Sequence, residues 1–446
     1  MALPSRNPDQ QPPRPRRRRR PRPSQPRVLR PVPRDQYHGE PPARVPFPQL
    51  LRQLGPGLIS GASDLDPTTV ATLAIIGSVV GYRLLWLVLL LLPMLIAVQV
   101  ISARVGMVAE GGLEGVIRER FGHIWALVAM VFVVAVNLIT IAADLEGGAA
   151  ALQLLTGLDW RWFVLPLALV VGALLLFGGY YGVQRVLRYV LIVFVAYVIA
   201  AFLVHPDWGQ VLYGLVPDFS LQPEYVAGAL ALLGTTLTSY VYFWESIEVH
   251  EERRPRAYLW VVELDAAVGM VGTVILSGFI VITTAATLGA RGEAVQTAQD
   301  AARALTPVAG PLAGALFAIG LLASAILAIP VLASTTAYVL SDAFQWNASL
   351  AGPGGNTRSF YLALLGSLVV GVAVAYGGIE PFRLLFLAGI AGGLGTPLLL
   401  VLLLLVALDR GVMHGQPIEL PLAILGWFTT LAVGSASLLY IALQIW

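Results

Sequence analysis

Eleven apolar segments run through this sequence, and each is close to the roughly 20 residues that an α-helix needs to cross the hydrocarbon core of a bilayer. They cover residues 53–80, 84–108, 123–148, 161–179, 186–204, 225–250, 257–288, 307–340, 359–378, 383–408 and 419–445. Only 12% of the residues are charged, about half of the fraction in a soluble protein. Because no water-soluble fold of 446 residues could bury so much apolar surface, the sequence predicts an all-α membrane protein with eleven transmembrane helices.

The first 47 residues differ from the rest, because they are dominated by Pro and Arg and hold twelve Arg against three acidic residues. Such a segment buries too little apolar surface to offset its ordering entropy, so we expect a disordered tail at 1–47 before a transmembrane domain at 48–446. Its charge favours a cytoplasmic tail that contacts anionic lipids. A tail that is merely solvated is the alternative. Nucleic-acid binding is disfavoured, because no base-stacking aromatic residues are interleaved with the Arg.

The arginines between the spans predict the orientation of the chain. With the N-terminus in the cytoplasm, ten arginines fall in cytoplasmic loops and only five fall outside. The cytoplasmic set is Arg104, Arg118, Arg120, Arg185, Arg188, Arg253, Arg254, Arg256, Arg358 and Arg410. Since cytoplasmic loops carry the excess of basic residues, we expect a cytoplasmic N-terminus and an external C-terminus in the plasma (inner) membrane.

The first and sixth spans are interrupted by polar residues at mid-membrane depth. The first carries Asp64 and Asp66 before Pro67, which lacks an N–H and pushes the preceding residue out of helical geometry. The sixth reads Leu-Gly-Thr-Thr-Leu-Thr-Ser-Tyr over residues 233–240, where Gly234 and four hydroxyl residues favour local unwinding. A matched pair of interrupted helices, five spans apart, indicates an inverted-repeat transporter in which spans 1–5 and 6–10 form the two halves.

Two ordinary kinked helices are the alternative interpretation of these spans. They would leave Asp64 and Asp66 at lipid depth, where a charge without a partner costs several kcal/mol. Non-helical backbone survives in a membrane only where protein or a water-filled cavity satisfies its polar groups. We therefore expect the freed carbonyls and carboxylates of both spans to face each other at the midplane, where they can replace water around a cation.

Several motifs of residues 50–446 resemble the natural resistance-associated macrophage protein (NRAMP) family of metal transporters. The resemblance lies in Gly55-Pro56-Gly57 with Asp66-Pro67 in the first helix, Asp144-Leu145 in the third, and residues 316–322 and 328–333 in the eighth. It implies a fold of two inverted five-helix repeats of the leucine-transporter type, with an eleventh helix added. It also implies that divalent metal ions are carried across the membrane.

The chain departs from the family pattern at the residues expected to bind the metal. Thr68 and Thr69 stand where the family has Gly and Asn, and Thr238 stands where it has the Met that supplies a thioether ligand. The resulting Ser-Asp-x-Asp-Pro and Gly-Thr-Thr patterns are similar to the NRAMP-related magnesium transporter branch. Oxygen ligands of this kind suit Mg²⁺, Mn²⁺ and Ca²⁺, whereas thioether and imidazole favour softer metals.

These residues predict a metal site in which Asp66 is the main ligand. Asp64 is either a second ligand or a carboxylate in the access path. The site would be completed by hydroxyls of Thr69 and Thr238, directly or through water, and by carbonyls of Gly234 and Thr235. We expect no bound cofactor and no obligate protein partner, so the divalent metal ion is the cargo.

Four further acids could serve a proton or cation pathway. Asp144 resembles a proton-relay position of the family, and Glu146 is near it, although the family's Glu itself is replaced by Gly147. Glu245 and Glu248 share a helix face that suggests an acidic cytoplasmic vestibule. Structural pairing is the alternative for all four acids.

Proton coupling is expected to be weak or absent. Tyr240 stands where the family has a helix-6 His, and His is the side chain that titrates near neutral pH without perturbation. The runner-up interpretation is a proton-coupled Mn²⁺/Fe²⁺ importer.

A sensor, a scaffold or a carrier of a small organic substrate also stays open, since this fold serves many functions. An intramembrane enzyme is disfavoured, because the chain has no Cys and no His at mid-membrane depth.

Replacing Thr238 by Met tests the hard-metal prediction. The wild-type protein should bind Cd²⁺ and Zn²⁺ poorly relative to Mg²⁺ or Mn²⁺, and Thr238→Met should raise the Cd²⁺ affinity, because a thioether is a soft ligand. Competition of Cd²⁺ against Mn²⁺ in an uptake assay measures this. A wild-type preference for Cd²⁺ over Mn²⁺ would contradict the assignment.

Overall fold

The computed structural model describes residues 61, 64–109, 112–178, 195–252, 258–346 and 357–445. Within these ranges the chain is helical and contains no β-strand. The predicted tail at 1–47 and the motif Gly55-Pro56-Gly57 lie outside the described residues, so what we expected of them stays a prediction.

Sixteen helices are labelled here in chain order, and short 3₁₀ or π turns extend some of them. They are α1 (Pro67–Val79), α2 (Leu85–Val108), α3 (Leu113–Phe121), α4 (His123–Thr156), α5 (Arg161–Ala173), α6 (195–203), α7 (Trp208–Tyr213), α8 (Pro223–Thr236), α9 (Ser239–Glu252), α10 (Leu259–Thr287), α11 (Ala298–Arg303), α12 (Thr306–Ala309), α13 (Ala313–Phe344), α14 (Thr357–Ala375), α15 (Pro381–Leu408) and α16 (Leu420–Ile445).

The described helices overlap all eleven predicted spans. Eight of the helical segments, with α8 and α9 counted as one, are long and apolar enough to cross a membrane, whereas α1 and α5 are shorter apolar helices. The predicted all-α membrane architecture is therefore confirmed. The number of crossings stays a prediction, because residues 53–60, 62 and 63 of span 1 and residues 186–194 of span 5 fall outside the described residues.

The interruptions predicted in the first and sixth spans are both present. Helix α1 begins at Pro67, and Asp66 before it has extended backbone geometry (φ −70°, ψ 170°). In the sixth span α8 ends at Thr236, and α9 starts only at Ser239. The break thus falls at Leu237 and Thr238, within the predicted stretch 233–240 and one helical turn after Gly234.

Gly234 serves close helix packing instead of unwinding. A Cβ atom at this position would lie 2.0 Å from the carbonyl oxygen of Gly389 and 2.1 Å from the amide nitrogen of Gly393, both on α15. Its own carbonyl oxygen lies against Gly392. Small residues let two membrane helices approach to backbone contact, so this glycine cluster sets how closely α8 and α15 pack.

Helices α4 and α13 form the most extensive helix pair of the described chain, and α1 packs against both. Polar contacts link the pair at depth, because the Asn137 side chain on α4 donates to the Thr336 hydroxyl at 3.1 Å and to the Leu332 carbonyl at 3.5 Å, both on α13. Helix α1 contacts α4 where Gly147 faces Pro67, and a Cβ on this glycine would lie 2.8 Å from the Pro67 Cβ. The start of α1 is therefore fixed against a rigid neighbour.

The short helix α3 joins α2 to α4 at the end of the bundle where α13 finishes. Arg118 of α3 donates to the carbonyl oxygens of Asp342 and Ala343, at 3.2 and 2.6 Å, and so caps the C-terminus of α13.

Glu114 of α3 is buried beside Asp342. Its loss of solvation, and then the negative charge of Asp342, raise the pKa of Glu114 to about 9. Glu114 is thus protonated at neutral pH, which makes its burial tolerable.

The glycine contact between α8 and α15 should be intolerant of a methyl group. Gly234→Ala places a Cβ within 2.0 Å of backbone, so we expect a loss of stability of at least the 1–3 kcal/mol typical of overpacking, about several degrees in melting temperature. Gly272→Ala on α10 is the matched control, because a Cβ there meets open space. Thermal unfolding of the two purified variants decides the point. Equal melting temperatures would show that α8 and α15 can move apart without a loss of stability.

Candidate metal site

Asp66 lies where the chain enters α1, and its carboxylate caps that helix. The backbone N–H of Thr69 donates to Asp66 Oδ1 at 2.7 Å, and Pro67 occupies the first helical position, where no N–H is needed. Only 2% of the Asp66 residue is exposed. The second oxygen, Oδ2, accepts the hydroxyl of Tyr240 at 3.4 Å. One oxygen of this carboxylate is thus anchored by the helix, and the other is weakly held.

Asp64 is buried two residues before Asp66, and the two carboxylates interact electrostatically. Within the described part of the chain, neither of its oxygens has a hydrogen-bond partner. A buried carboxylate in this situation is costly, since the loss of hydration is not replaced by other interactions. Asp64 is therefore the strongest single indication that this region is built for a cation.

Asp144 of α4 approaches the same region from the opposite side. The Thr68 hydroxyl donates to Asp144 Oδ1 at 2.8 Å, and both residues are buried. This contact joins the start of α1 to α4, and Asp144 also interacts electrostatically with Asp66. Thr68 replaces a Gly of the family pattern, so the hydroxyl bridge depends on this substitution. The sequence marked Thr68 and Asp144 as candidate site residues, but it did not predict the contact between them.

Tyr240 lies among the acids, at the start of α9 just after the break in the sixth span. It interacts electrostatically with Asp66, Asp64 and Asp144, and its side chain is fully buried. In the sequence, Tyr240 is marked only as the replacement of a His. Its position two residues after Thr238 on a broken helix was the available signal that its side chain would enter the site.

The other predicted ligands fall into two groups. Thr69 and Thr238 are buried at the breaks themselves, Thr69 in the first turn of α1 and Thr238 between α8 and α9. Gly234 and Thr235 lie in the last turn of α8, where no further helical turn follows to donate to their carbonyls. The Gly234 carbonyl packs against Gly392, which makes the Thr235 carbonyl the better candidate of the two.

In the part of the chain that the structure describes, no basic side chain forms an ion pair with the three buried aspartates. Among the described residues, every ion pair involves an acid outside this group. The described residues also contain no set of three or more His, Cys, Asp or Glu close enough to share one metal ion. A bound cation would therefore take one or two carboxylates and complete its shell with hydroxyls, carbonyls and water, as Mg²⁺ often does.

Glu146 does not join Asp144, although only two residues separate them on α4. Two helical residues project about 200° apart, so the two carboxylates point to nearly opposite sides of the helix. Glu146 is buried, and neither of its carboxylate oxygens has a partner in the described structure. Gly147, at the position of the family's Glu, packs against Pro67 and has no room for a side chain.

Glu245 and Glu248 lie on α9, beyond Tyr240. Glu245 is buried and Glu248 is half-buried, and each makes interactions with its surroundings. Their spacing places them on one helical face, as predicted. The arginines that could pair with them at 253, 254 and 256 lie outside the described residues, so the structure does not distinguish pairing from a vestibule.

Comparison with known protein families gives a match over almost the whole membrane domain. The family described as natural resistance-associated macrophage protein-like matches residues 57–443. A divalent metal cation transporter MntH of Deinococcus radiodurans is 29% identical over 413 residues, covering 85% of this chain and 87% of that protein. An MntH of Ralstonia nicotianae is 33% identical over 303 residues, with 64% and 67% coverage.

Solved transporter structures share the fold. The manganese transporter of Eremococcus coleocola superposes with a TM-score of 0.72 at 20% identity, covering 92% of this chain and 90% of its own. Mhp1, a nucleobase-cation-symport-1 family transporter, superposes with a TM-score of 0.59 at 15% identity, covering 88% of this chain and 92% of its own. MhsT, solved in complex with L-phenylalanine, superposes with a TM-score of 0.60 at 13% identity, covering 87% of this chain and 98% of its own. The predicted leucine-transporter-type helical fold is therefore confirmed.

The hydrogen bond from the Thr68 hydroxyl on α1 to the Asp144 carboxylate on α4 should contribute to stability, so mutations of the two residues should be energetically coupled. Thr68→Val keeps the shape but leaves Asp144 Oδ1 unpaired, so we expect a loss of about 1–3 kcal/mol in stability. In an Asp144→Asn background the same substitution should cost less, because no charge is left without a donor. Thermal unfolding of the four proteins gives the coupling energy. A coupling energy near zero would mean that the contact has no energetic weight.

Proposed function

Because this chain belongs to the natural resistance-associated macrophage protein-like family, we propose that it transports divalent metal cations across the membrane by alternating access. The family match covers both interrupted spans. The relatives carry the names divalent metal cation transporter and manganese transporter, and these names support the proposed cargo.

One observation of this chain's own residues carries the proposal. Asp64, Asp66 and Asp144 are buried around two helix breaks, and their described surroundings offer hydroxyl and backbone N–H groups but no basic side chain. Ionised carboxylates in such an environment repel one another and lose hydration, which a doubly charged cation offsets. Binding of a cation therefore removes the repulsion between the carboxylates and compensates for their lost hydration.

The proposed ligand shell is made of oxygen atoms. Asp66 is the principal ligand, because one oxygen is fixed by the N-terminus of α1 and the other is turned towards α9. Asp64 is the second carboxylate. Hydroxyls of Thr69 and Thr238 and a carbonyl from the end of α8 complete the shell, with Thr235 preferred over Gly234 for that carbonyl.

This shell favours the hard cations Mg²⁺ and Mn²⁺. No thioether or imidazole is present at the helix breaks, where Thr238 and Tyr240 replace the Met and His of the family pattern. The names of the relatives favour manganese, and the similarity to the magnesium branch favours magnesium. Both cations fit the same oxygen ligands, and Mg²⁺ would retain more of its water.

The positions of the two broken helices support the proposal of alternating access. The helices α4 and α13 form a scaffold that α1 and α9 contact, and the helical hydrogen bonding is interrupted at Asp66 before α1 and at Leu237 and Thr238 before α9. Movement of the half-helices about Asp66 and Thr238 would open the site to one side at a time. In this mechanism Thr68 and Tyr240 hold the carboxylates in place while the cation enters and leaves.

A proton-coupled Mn²⁺/Fe²⁺ importer is the second candidate. The MntH relatives are named divalent metal cation transporters, which is consistent with this cargo. Against it, a Tyr hydroxyl occupies the place of the His, and Gly147 is packed on Pro67 where the family has Glu. Asp144 and Glu146 are the remaining acids on α4 that could move a proton.

Asp66→Ala should abolish uptake of Mn²⁺ by proteoliposomes while the protein stays folded, because the anchored ligand is lost and a buried charge is removed with it. Glu119→Ala on the exposed face of α3 is the matched control and should transport normally. Uptake and size-exclusion profiles are measured together. Uptake near the wild-type rate by a folded Asp66→Ala protein would overturn the assignment of the site.

Metal uptake should proceed without proton movement. The membrane potential alone contributes about 4.6 kcal/mol per divalent ion at 100 mV, so coupling is not required for accumulation. A pH-sensitive dye inside proteoliposomes should report no metal-dependent acidification. If the lumen acidifies during uptake, and Asp144→Asn stops the acidification without stopping metal uptake, then the proton-coupled importer is the correct function.

A further inference from the structure

A cavity of about 540 Å³ lies at the end of the bundle where α4 finishes. We call it the outer cavity, since the arginine distribution predicts that this end faces outward. The end of α4, the start of α5, residues 296–299 and the start of α15 form its walls. Its polar side chains are Gln153, Asp159, Arg161, Gln296, Thr297, Gln299 and Glu380.

The positive charge in the outer cavity is already neutralised. Arg161 donates to Asp159 at 3.2 Å, and its guanidinium lies over the ring of Trp160 at 4.7 Å from the centroid. Glu380 is exposed, precedes the first residue of α15 and does not cap it, and no described basic side chain pairs with it. The lining therefore has an excess of one negative charge.

A second carboxylate lies beneath this cavity. Glu146 is on α4 one helical turn before Ala150, and positions 146, 150, 153 and 157 share one face of a helix. The last three of these line the cavity. The carboxylate interacts electrostatically with Glu380 and Arg161, which are both part of the lining. Glu146 is fully buried, and its two oxygens have no hydrogen-bond partner among the described residues.

We propose that the outer cavity is a second cation site, in which a hydrated divalent cation is held by the carboxylates of Glu146 and Glu380. This inference rests on the proposed function. The cavity has space for an ion with part of its water shell, and the amide oxygens of Gln153 and Gln299 can accept hydrogen bonds from that water. The cation contacts protein largely through water, so it binds more weakly than at Asp66.

The outer site concentrates cations beside the transport site without being part of it. Clefts lined by one sign of charge raise the local concentration of the opposite ion and speed its capture, and salt screens this effect. Loss of the outer site should therefore raise the KM for uptake at low ionic strength and leave kcat unchanged. Loss of Asp66 removes transport itself, so the two sites have different kinetic signatures.

The direct test measures Mn²⁺ binding to detergent-solubilised Asp66→Ala protein, which separates the outer site from the transport site. The electron paramagnetic resonance signal of free aqueous Mn²⁺ reports how much of the ion is bound. We expect the Asp66→Ala protein to retain one weak site, and Asp66→Ala/Glu146→Gln to lose it by about tenfold or more in affinity, because carboxylate number sets the affinity of such sites.

Two further variants keep the test decisive. Glu380→Gln removes the exposed carboxylate without touching buried structure and should weaken the weak site by a smaller factor. Glu224→Gln is the matched control, an exposed acid in the first turn of α8 outside the cavity, and should change nothing. No weak site in the Asp66→Ala protein, or equal effects of Glu146→Gln and Glu224→Gln in folded proteins, would overturn the proposal.

Uptake kinetics distinguish this inference from the proposed function. If wild-type proteoliposomes take up no divalent cation, the proposed function fails whatever the binding data show. If the wild type transports and Glu146→Gln leaves KM unchanged at low salt, the transporter stands and the outer site is wrong. A KM increase of severalfold for Glu146→Gln and Glu380→Gln, with kcat unchanged and the increase lost at high salt, supports it.

Discussion

The structure depends on three carboxylates that are buried in a membrane protein with no basic side chain to neutralise them among the described residues. Asp66 is stabilised by the first N–H groups of α1, Asp144 by the Thr68 hydroxyl, and Asp64 by neither kind of donor. Because a buried charge is tolerated only with a partner, this arrangement favours a divalent cation over any neutral or anionic cargo. The hydroxyl of Tyr240 shares the same region and adds a donor without adding charge.

Glycine contacts make this charged centre possible. Gly234 brings α8 into backbone contact with α15, and Gly147 brings α4 against Pro67 at the start of α1. Without these approaches, the ends of the broken helices would lie farther apart, and their polar groups would need water or lipid headgroups as partners. The Gly147 contact also excludes the Glu found there in the family pattern. The replacement of the family's Glu by Gly147 therefore permits the close contact between α4 and the start of α1.

The acids on α4 illustrate how one helix can serve two sites. Asp144 accepts the Thr68 hydroxyl near the helix breaks, whereas Glu146 interacts electrostatically with Glu380 of the outer cavity. Their separation of about 200° around the helix follows from the α-helical repeat. A cation drawn to the outer cavity and one bound at Asp66 would therefore interact with opposite sides of the same helix, which allows affinity and capture to be changed independently.

The sequence by itself determined the membrane architecture and the two interruptions, because apolar length and the backbone chemistry of Asp66 and Pro67 are local properties. It also marked Asp64 and Asp144, since acids within apolar spans need a partner. Only the tertiary structure decided that Thr68 meets Asp144, that Tyr240 lies among the acids and that the sixth span breaks at Thr238. Those outcomes depend on packing between helices far apart in the chain, which no local pattern specifies. The outer cavity has the same origin, because its walls come from residues 150–161, 296–299 and 380–382, which are far apart in the chain.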